Sequence, residues 1–228
     1  MRTAVVVFPG TNCERDVVYA LGVLGARADL VWHRETDLSS FAGVILPGGF
    51  AHGDYLRTGA IARFSPVMDS VKAMADAGQP VLGICNGFQV LCEAGLLPGA
   101  LVANRDLSFI CRPVHLRVES TDSILTRSAT VGDVLEIPLN SYEGNFVVPE
   151  ADREALHTVL RYSDAQGGVD DDANPNGSFH NIAGVANRRG NVAGVMPHPE
   201  RAVEDLLGST DGRILLESYL ASLAPIHV

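Results

Sequence analysis

The sequence predicts an α/β protein with a doubly wound, mostly parallel central sheet, helices on both faces and a small mixed β addition. Three observations predict it. Short β-rich runs alternate with stretches of helical periodicity through the first hundred residues. The later strand-like runs follow one another without helices between them. The chain has 228 residues, 46% of them hydrophobic and 19% charged, values of a globular protein able to bury one sizeable core.

Thr3–Phe8 reads as a strand ending at Pro9-Gly10. Glu14–Leu24 places Val17, Val18, Leu21 and Leu24 at helical spacing, with Glu14 and Asp16 in an acidic first turn. Ala28–Trp32 is a second strand, and Val44–Leu46 a third, stopped by Pro47-Gly48-Gly49. Pro66–Ala77 is helical, with Val67, Val71 and Met74 on one side and Gly78 as the stop. Val81–Ile84 is a fourth strand and Phe88–Ala94 a helix ended by Gly95. Right-handed crossovers between such strands give a doubly wound sheet, whose site lies beyond the carboxyl ends of the strands.

Val114–Glu119, Val134–Ile137, Asn145–Val148 and Thr158–Tyr162 read as further strands, and Gly167–Ser178 as a polar loop. Ile182–Ala186 and Val192–Met196 form a hairpin around Arg188-Arg189-Gly190, and a last helix runs from about Asp211 to Leu223. No repeat, linker or low-complexity tract interrupts the chain, so residues 1–228 are read as a single domain.

The formal net charge of −10 disfavours nucleic acid as a partner. No apolar run reaches the ~18–20 residues a membrane-spanning helix needs. Met1–Phe8 lacks a cleavage-site pattern. Cys13, Cys85, Cys92 and Cys111 form no Cys-x-x-Cys pair, and a chain this apolar needs no disulfide staples. A reducing, cytoplasmic setting is expected. Cys92 and Cys111 are expected to be packed, and Cys13 to sit in a turn, accessible or structural. Asp170–Asp172 lacks EF-hand spacing and is read as a solvated loop.

Three motifs carry chemistry. In Gly83-Ile84-Cys85-Asn86-Gly87 a buried strand enters and a helix leaves, so Cys85 sits on a tight strand-to-helix elbow. The helix N-terminus favours a thiolate, and the Asn86 amide points toward a developing oxyanion. In Met196-Pro197-His198-Pro199-Glu200 an extended segment would put His198 and Glu200 on one side, the carboxylate holding one imidazole nitrogen. Leu46-Pro47-Gly48-Gly49-Phe50 exposes backbone amides after a strand. Each alone has an ordinary reading: a buried structural cysteine, a surface turn, a Pro-Gly-Gly turn. Together they supply nucleophile, base, orienting carboxylate and oxyanion donors at one sheet edge, which is what acyl transfer requires.

These motifs resemble those of class I glutamine amidotransferases of the Cys-His-Glu type, which have a flavodoxin-like sheet. Longer stretches are similar to the glutaminase subunits of the purine-pathway synthetase that makes formylglycinamidine ribonucleotide. They are FPGTNCERD (Phe8–Asp16), PGGFAHGDYLRTGAIAR (Pro47–Arg63), GICNGFQVLCEAGLLPGAL (Gly83–Leu101), NPNGS (Asn174–Ser178) and IAGVANRRGNVAGVMPHPER (Ile182–Arg201). The resemblance implies Cys85 as nucleophile, His198 as base and Glu200 as its orienter. It implies Gly49 and Asn86 as oxyanion donors, and Gln89 as a contact of the substrate L-glutamine. Glutamine hydrolysis then needs no cofactor. ATP and magnesium belong to a large synthetase partner, and a small third subunit bridges the two. The family's Ala-His-x-Glu-Gly stretch reads Asn140-Ser141-Tyr142-Glu143-Gly144 here, without the histidine. Tyr55, Arg57 and Arg63 are read as facing the site mouth or partner, or as surface salt bridges. Loss of the cysteine, histidine or glutamate would mark a non-catalytic binding protein of the same fold; all three are present.

Overall fold

The computed structural model describes residues 1–223. Five short strands form the parallel half of one sheet: β1 (Arg2–Val7), β2 (Arg27–Trp32), β3 (Gly43–Leu46), β4 (Val81–Ile84) and β11 (Val192–Val195). Residues of β1, β3, β4 and β11 are almost all buried, as strands covered on both faces must be. The helices are α1 (Glu14–Val23), α2 (Val67–Asp76), α3 (Asn86–Glu93) and α4 (Gly212–Ala221). Helix α2 turns Val67, Met68, Val71, Met74 and Ala75 inward, each large side chain contributing ~1.5–3 kcal/mol of burial. In α3 every residue from Asn86 to Cys92 is buried.

The antiparallel half is built from β10 (Ile182–Ala186), β9 (His157–Ser163), β6 (Ile110–Val118) and β7 (Val134–Ser141). The nine strands run in the order β2-β1-β3-β4-β11-β10-β9-β6-β7. The expected mixed addition is therefore the continuation of the main sheet. Strand β5 (Ala100–Val102), not anticipated, pairs with β8 (Asn145–Val147) in a separate ribbon. Strand β6 begins at Ile110, earlier than expected. Its residues before His115 pair with β7 alone, so the missing N–H of Pro113 costs no ladder bond toward β9.

Two features position the site. The strand order reverses between β1 and β3, which opens a crevice beyond their carboxyl ends. The sheet also curls, so that its last strand returns to this crevice: the Pro138 carbonyl of β7 accepts a hydrogen bond from His198 N at 2.8 Å. No helix among the described residues is long and apolar enough to cross a membrane.

Candidate active site

Cys85 follows β4 and begins α3 with φ 51° and ψ −109°. A β-carbon rarely adopts such a conformation, which costs of order 1–3 kcal/mol and persists only where packing enforces it. The enforcement is visible. A β-carbon on Gly87 would lie 1.8 Å from the Leu46 carbonyl oxygen, and one on Gly83 would lie 2.7 Å from Gly87 backbone atoms. Only glycine lets α3 rise this steeply from between β3 and β4. The elbow also points the first-turn amides of α3, which have no intrahelical acceptor, toward the thiol.

β11 lies beside β4 in parallel register, with Val195 opposite Ile84, and Cys85 N donates to Val195 O at 2.8 Å. The segments after these two strands therefore emerge side by side. His198 follows β11, and Pro199–Arg201 forms a 3-10 turn instead of the expected extended segment. The turn still brings the side chains together: His198 Nδ1 bonds Glu200 Oε1 at 2.7 Å, both residues being 2% exposed or less. The other ring nitrogen, Nε2, is buried without a partner. A β-carbon on Gly48 would stand 2.8 Å from His198 Cε1, 3.0 Å from Cys13 Sγ and 3.4 Å from Cys85 Cβ. Three chain segments thus converge on Gly48. Burial opposes charge on His198, but the Glu200 carboxylate, with Cys85 and Cys13 beside it, holds the imidazole pKa well above its ordinary value.

Gly49 has φ 150°, and a β-carbon there would meet Thr11 Cα at 2.7 Å. Thr11 and Gly49 face each other in an antiparallel bridge whose hydrogen bonds belong to Phe50 N and Asn12 N. The Gly49 amide is left over, turned away from Thr11.

A cavity of about 380 Å³ opens here, lined by Gly49, Cys85, Gln89 and His198 among others. Of the remaining expected site residues, Glu200 lies behind His198. The Asn86 side chain is turned into the wall, accepting from Ala51 N (3.0 Å) and donating to Gln89 Oε1 (2.8 Å). Gln89 also donates to Glu143 O at 2.6 Å. Its amide therefore ties α3 to the turn after β7 as well as lining the cavity. Asn140 O lies 3.6 Å from Cys85 Sγ as an acceptor.

Four charged or thiol-bearing cavity residues had no role in the motif reading: Cys13, Asp54, Glu143 and Arg201. All lie within or next to the quoted sequence stretches, which was the available signal. Cys13 is buried and its Sγ is 3.2 Å from Arg201 Nη2, with Arg201 paired to Asp16 at 3.0 Å. Cys13, His198 and Glu200 place donor atoms within 4.8 Å of one another. The Arg201 guanidinium already supplies positive charge beside that sulfur, so the set does not fit a metal ion.

Of the other cysteines, Cys92 is buried, with its thiol pKa pushed up by burial, whereas Cys111 is exposed, contrary to expectation. Cys111 lies on the part of β6 that pairs only with β7, where nothing covers it. Arg57 and Arg63 both reach Glu93, and Tyr55 is exposed. Asp170–Asp172 is an exposed turn in which Asp170 Oδ1 accepts from Ala173 N.

A thiol on a strand–helix elbow beside a buried imidazole–carboxylate pair, at the switch point of a doubly wound sheet, defines a glutamine amidotransferase. Comparison agrees: residues 1–213 match the CobB/CobQ-like glutamine amidotransferase domain. The chain is 54% identical to phosphoribosylformylglycinamidine synthase subunit PurQ of Gloeobacter violaceus, over 97% of this chain and 98% of that one. It is 53% identical to the same subunit of Salinibacter ruber, over 96% and 95% of the two chains. A chain in the structure of PurLQS from Thermotoga maritima superposes with a TM-score of 0.88 at 42% identity, covering 98% of this chain and 99% of that one. The chain belongs to the PurQ family of glutamine amidotransferases.

Proposed function

We propose that the protein is the glutaminase subunit of phosphoribosylformylglycinamidine synthase, with Cys85 as its nucleophile. The observation that carries the reading is the buried His198–Glu200 pair, whose Nε2 has no partner, with His198 and Cys85 lining one cavity.

The Cys85 thiolate attacks the side-chain amide carbon of L-glutamine. The Gly49 and Asn86 amides hold the oxyanion, and Gln89 keeps the pocket wall against the substrate. Protonated His198 gives its proton to the leaving nitrogen, and ammonia departs. A water molecule, giving its proton to His198, then cleaves the γ-glutamyl thioester and releases glutamate. Glu200 keeps the imidazole oriented and charged through the cycle. These steps need no metal and no organic cofactor.

Ammonia passes to a large synthetase subunit (PurL), joined through a small bridging subunit (PurS). There ATP and magnesium drive conversion of formylglycinamide ribonucleotide to the amidine in purine biosynthesis. The assembly is cytoplasmic. The chain has no Gly-x-x-x-x-Gly-Lys-Ser/Thr loop, which agrees with nucleotide chemistry residing in the partner. Glutaminase activity is low until the synthetase engages. The test is Cys85→Ala in the reconstituted complex. Glutamine-dependent synthesis should vanish while added ammonia still supports it; surviving glutamine use would refute the role of Cys85.

A further inference from the structure

The cavity carries charges of both signs. Asp54 and Glu143 lie where α3 and the turn after β7 meet; Arg201 lines the cavity too but is held by Asp16 and Cys13. Several other part-buried or buried carboxylates have cations: Glu93 has Arg57, Glu119 has Arg117 and Arg161, Glu200 has His198. Among the described residues, neither Asp54 nor Glu143 has a Lys, Arg or His partner within 4.0 Å. Asp54 has one polar side-chain neighbour, Asn86 Nδ2, which donates to its Oδ1 at 3.3 Å. The wall is rigid. Asn86 Nδ2 also donates to Gln89 Oε1, and Gln89 Nε2 to the Glu143 carbonyl oxygen, so both acids hang on one hydrogen-bonded frame.

Two sheltered carboxylates facing one space without a counter-ion are destabilised by each other and by lost hydration. The effect shows on Asp54, which burial and the Glu143 charge push up to about 6. A second, independent feature marks the same cavity as a ligand site: the Nε2 atom of His198, 2% exposed, has no partner. A ligand filling this space must offer an uncharged polar group to the imidazole–thiol end and a cation to the acidic wall.

We propose that Asp54 and Glu143 form the subsite that reads the α-ammonium group of the amide substrate. The inference rests on the glutaminase reading and deepens it. Glutamine carries one cation, at the end of the molecule away from its carboxamide. With the carboxamide at Cys85, the ammonium reaches the acidic wall and supplies the missing counter-ion. Selectivity for a free α-amino acid amide then resides in Asp54 and Glu143, and discrimination against amides lacking the amine is electrostatic.

The test compares glutamine with glutaramate, which has the same carboxamide and no ammonium, on the chain assembled with its synthetase. Asp54→Asn and Glu143→Gln should each raise the glutamine KM roughly tenfold or more, with a much smaller change in kcat. Glutaramate, with no ammonium to lose, should show no rise in KM in the variants. Asp54→Glu, which keeps the charge, should retain the preference for glutamine. The proposal is overturned if the substitutions weaken both substrates equally, or if the glutamine KM does not move in soluble, folded variants. A wild-type complex that uses ammonia but does not hydrolyse glutamine would instead overturn the glutaminase reading.

Discussion

His198 Nδ1 and Glu200 Oε1 are 2.7 Å apart with both side chains sealed from solvent. Burial alone would discharge the imidazole; the carboxylate reverses the outcome and keeps it protonated above its usual 6.5. Glu200→Gln keeps the shape and removes the charge. Glutamine hydrolysis should fall by roughly 10²–10⁴-fold. Alkylation of Cys85 by iodoacetamide at neutral pH should slow, because a neutral imidazole no longer favours the thiolate beside it. Stability from the pair is fully present below pH 6.5 and is lost as pH rises through the raised value. The variant's denaturation midpoint should lose that dependence; an unchanged pH profile would contradict the assignment.

Gly49 has no room for a side chain. At φ 150°, a methyl would press on Thr11, Asn12 and Gly10 backbone atoms at 2.7–2.9 Å. Gly49→Ala must rotate or displace its amide, and with that amide in the proposed oxyanion role kcat should fall by about 10²–10³-fold. Gly25→Ala is the control: φ is 74° but nothing lies within 4 Å, so about 1–2 kcal/mol of stability is lost and kcat is retained. Rates measured beside thermal melts separate the two effects.

The parallel half of the fold was legible because its strands are short apolar runs closed by Pro-Gly, Pro-Gly-Gly or a Gly-containing elbow. The placement of Cys85, His198, Glu200 and Gly49 at one sheet edge was legible for the same reason: each lies just past such a run. What could not be read was the return of β7. Pro138 and Asn140 belong to the far edge of a nine-stranded sheet, yet touch His198 and lie against Cys85. Curl is a property of the assembled sheet and leaves no local signature. Strand β5 was hidden by its three-residue length, and the turn at Pro199–Arg201 by prolines that suggested extension. Asp54 escaped because it sits in a loop where His52, Gly53 and Asp54 all have positive φ, and no periodicity describes such a path.

Asn104 is the buried fastener of the turn carrying Glu143. Its Nδ2 donates to Ser141 O (2.8 Å) and Ser108 O (2.9 Å), and its Oδ1 accepts from Gly144 N (3.0 Å). Asn104→Ala strands these backbone groups and should cost about 1–3 kcal/mol in denaturant unfolding. The glutamine KM should rise as the turn loosens, with the reactivity of Cys85 to iodoacetamide little changed. Loss of stability without any change in KM would place Asn104 outside the site's support.

Acidification offers a test without mutation. Asp54, pushed up to about 6 by burial and Glu143 and restrained by Asn86, gains a proton as pH falls through that value. The neutral acid no longer attracts an ammonium, so the glutamine KM should climb below pH 6 and stay flat above it. The glutaramate KM should lack this inflection. A glutamine KM independent of pH between 5 and 7 would argue against an ionised Asp54 at the substrate.

Cys85 and His198 follow neighbouring strands of the parallel ladder, Ile84 beside Val195, so sulfur and imidazole are carried by one stretch of buried sheet. Their relative placement is as durable as the protein's centre, and heat should silence the enzyme only when the whole molecule melts. A synthetase that governs this subunit would then act on the cavity wall around residues 50–56 and 142–144, not by moving Cys85 against His198.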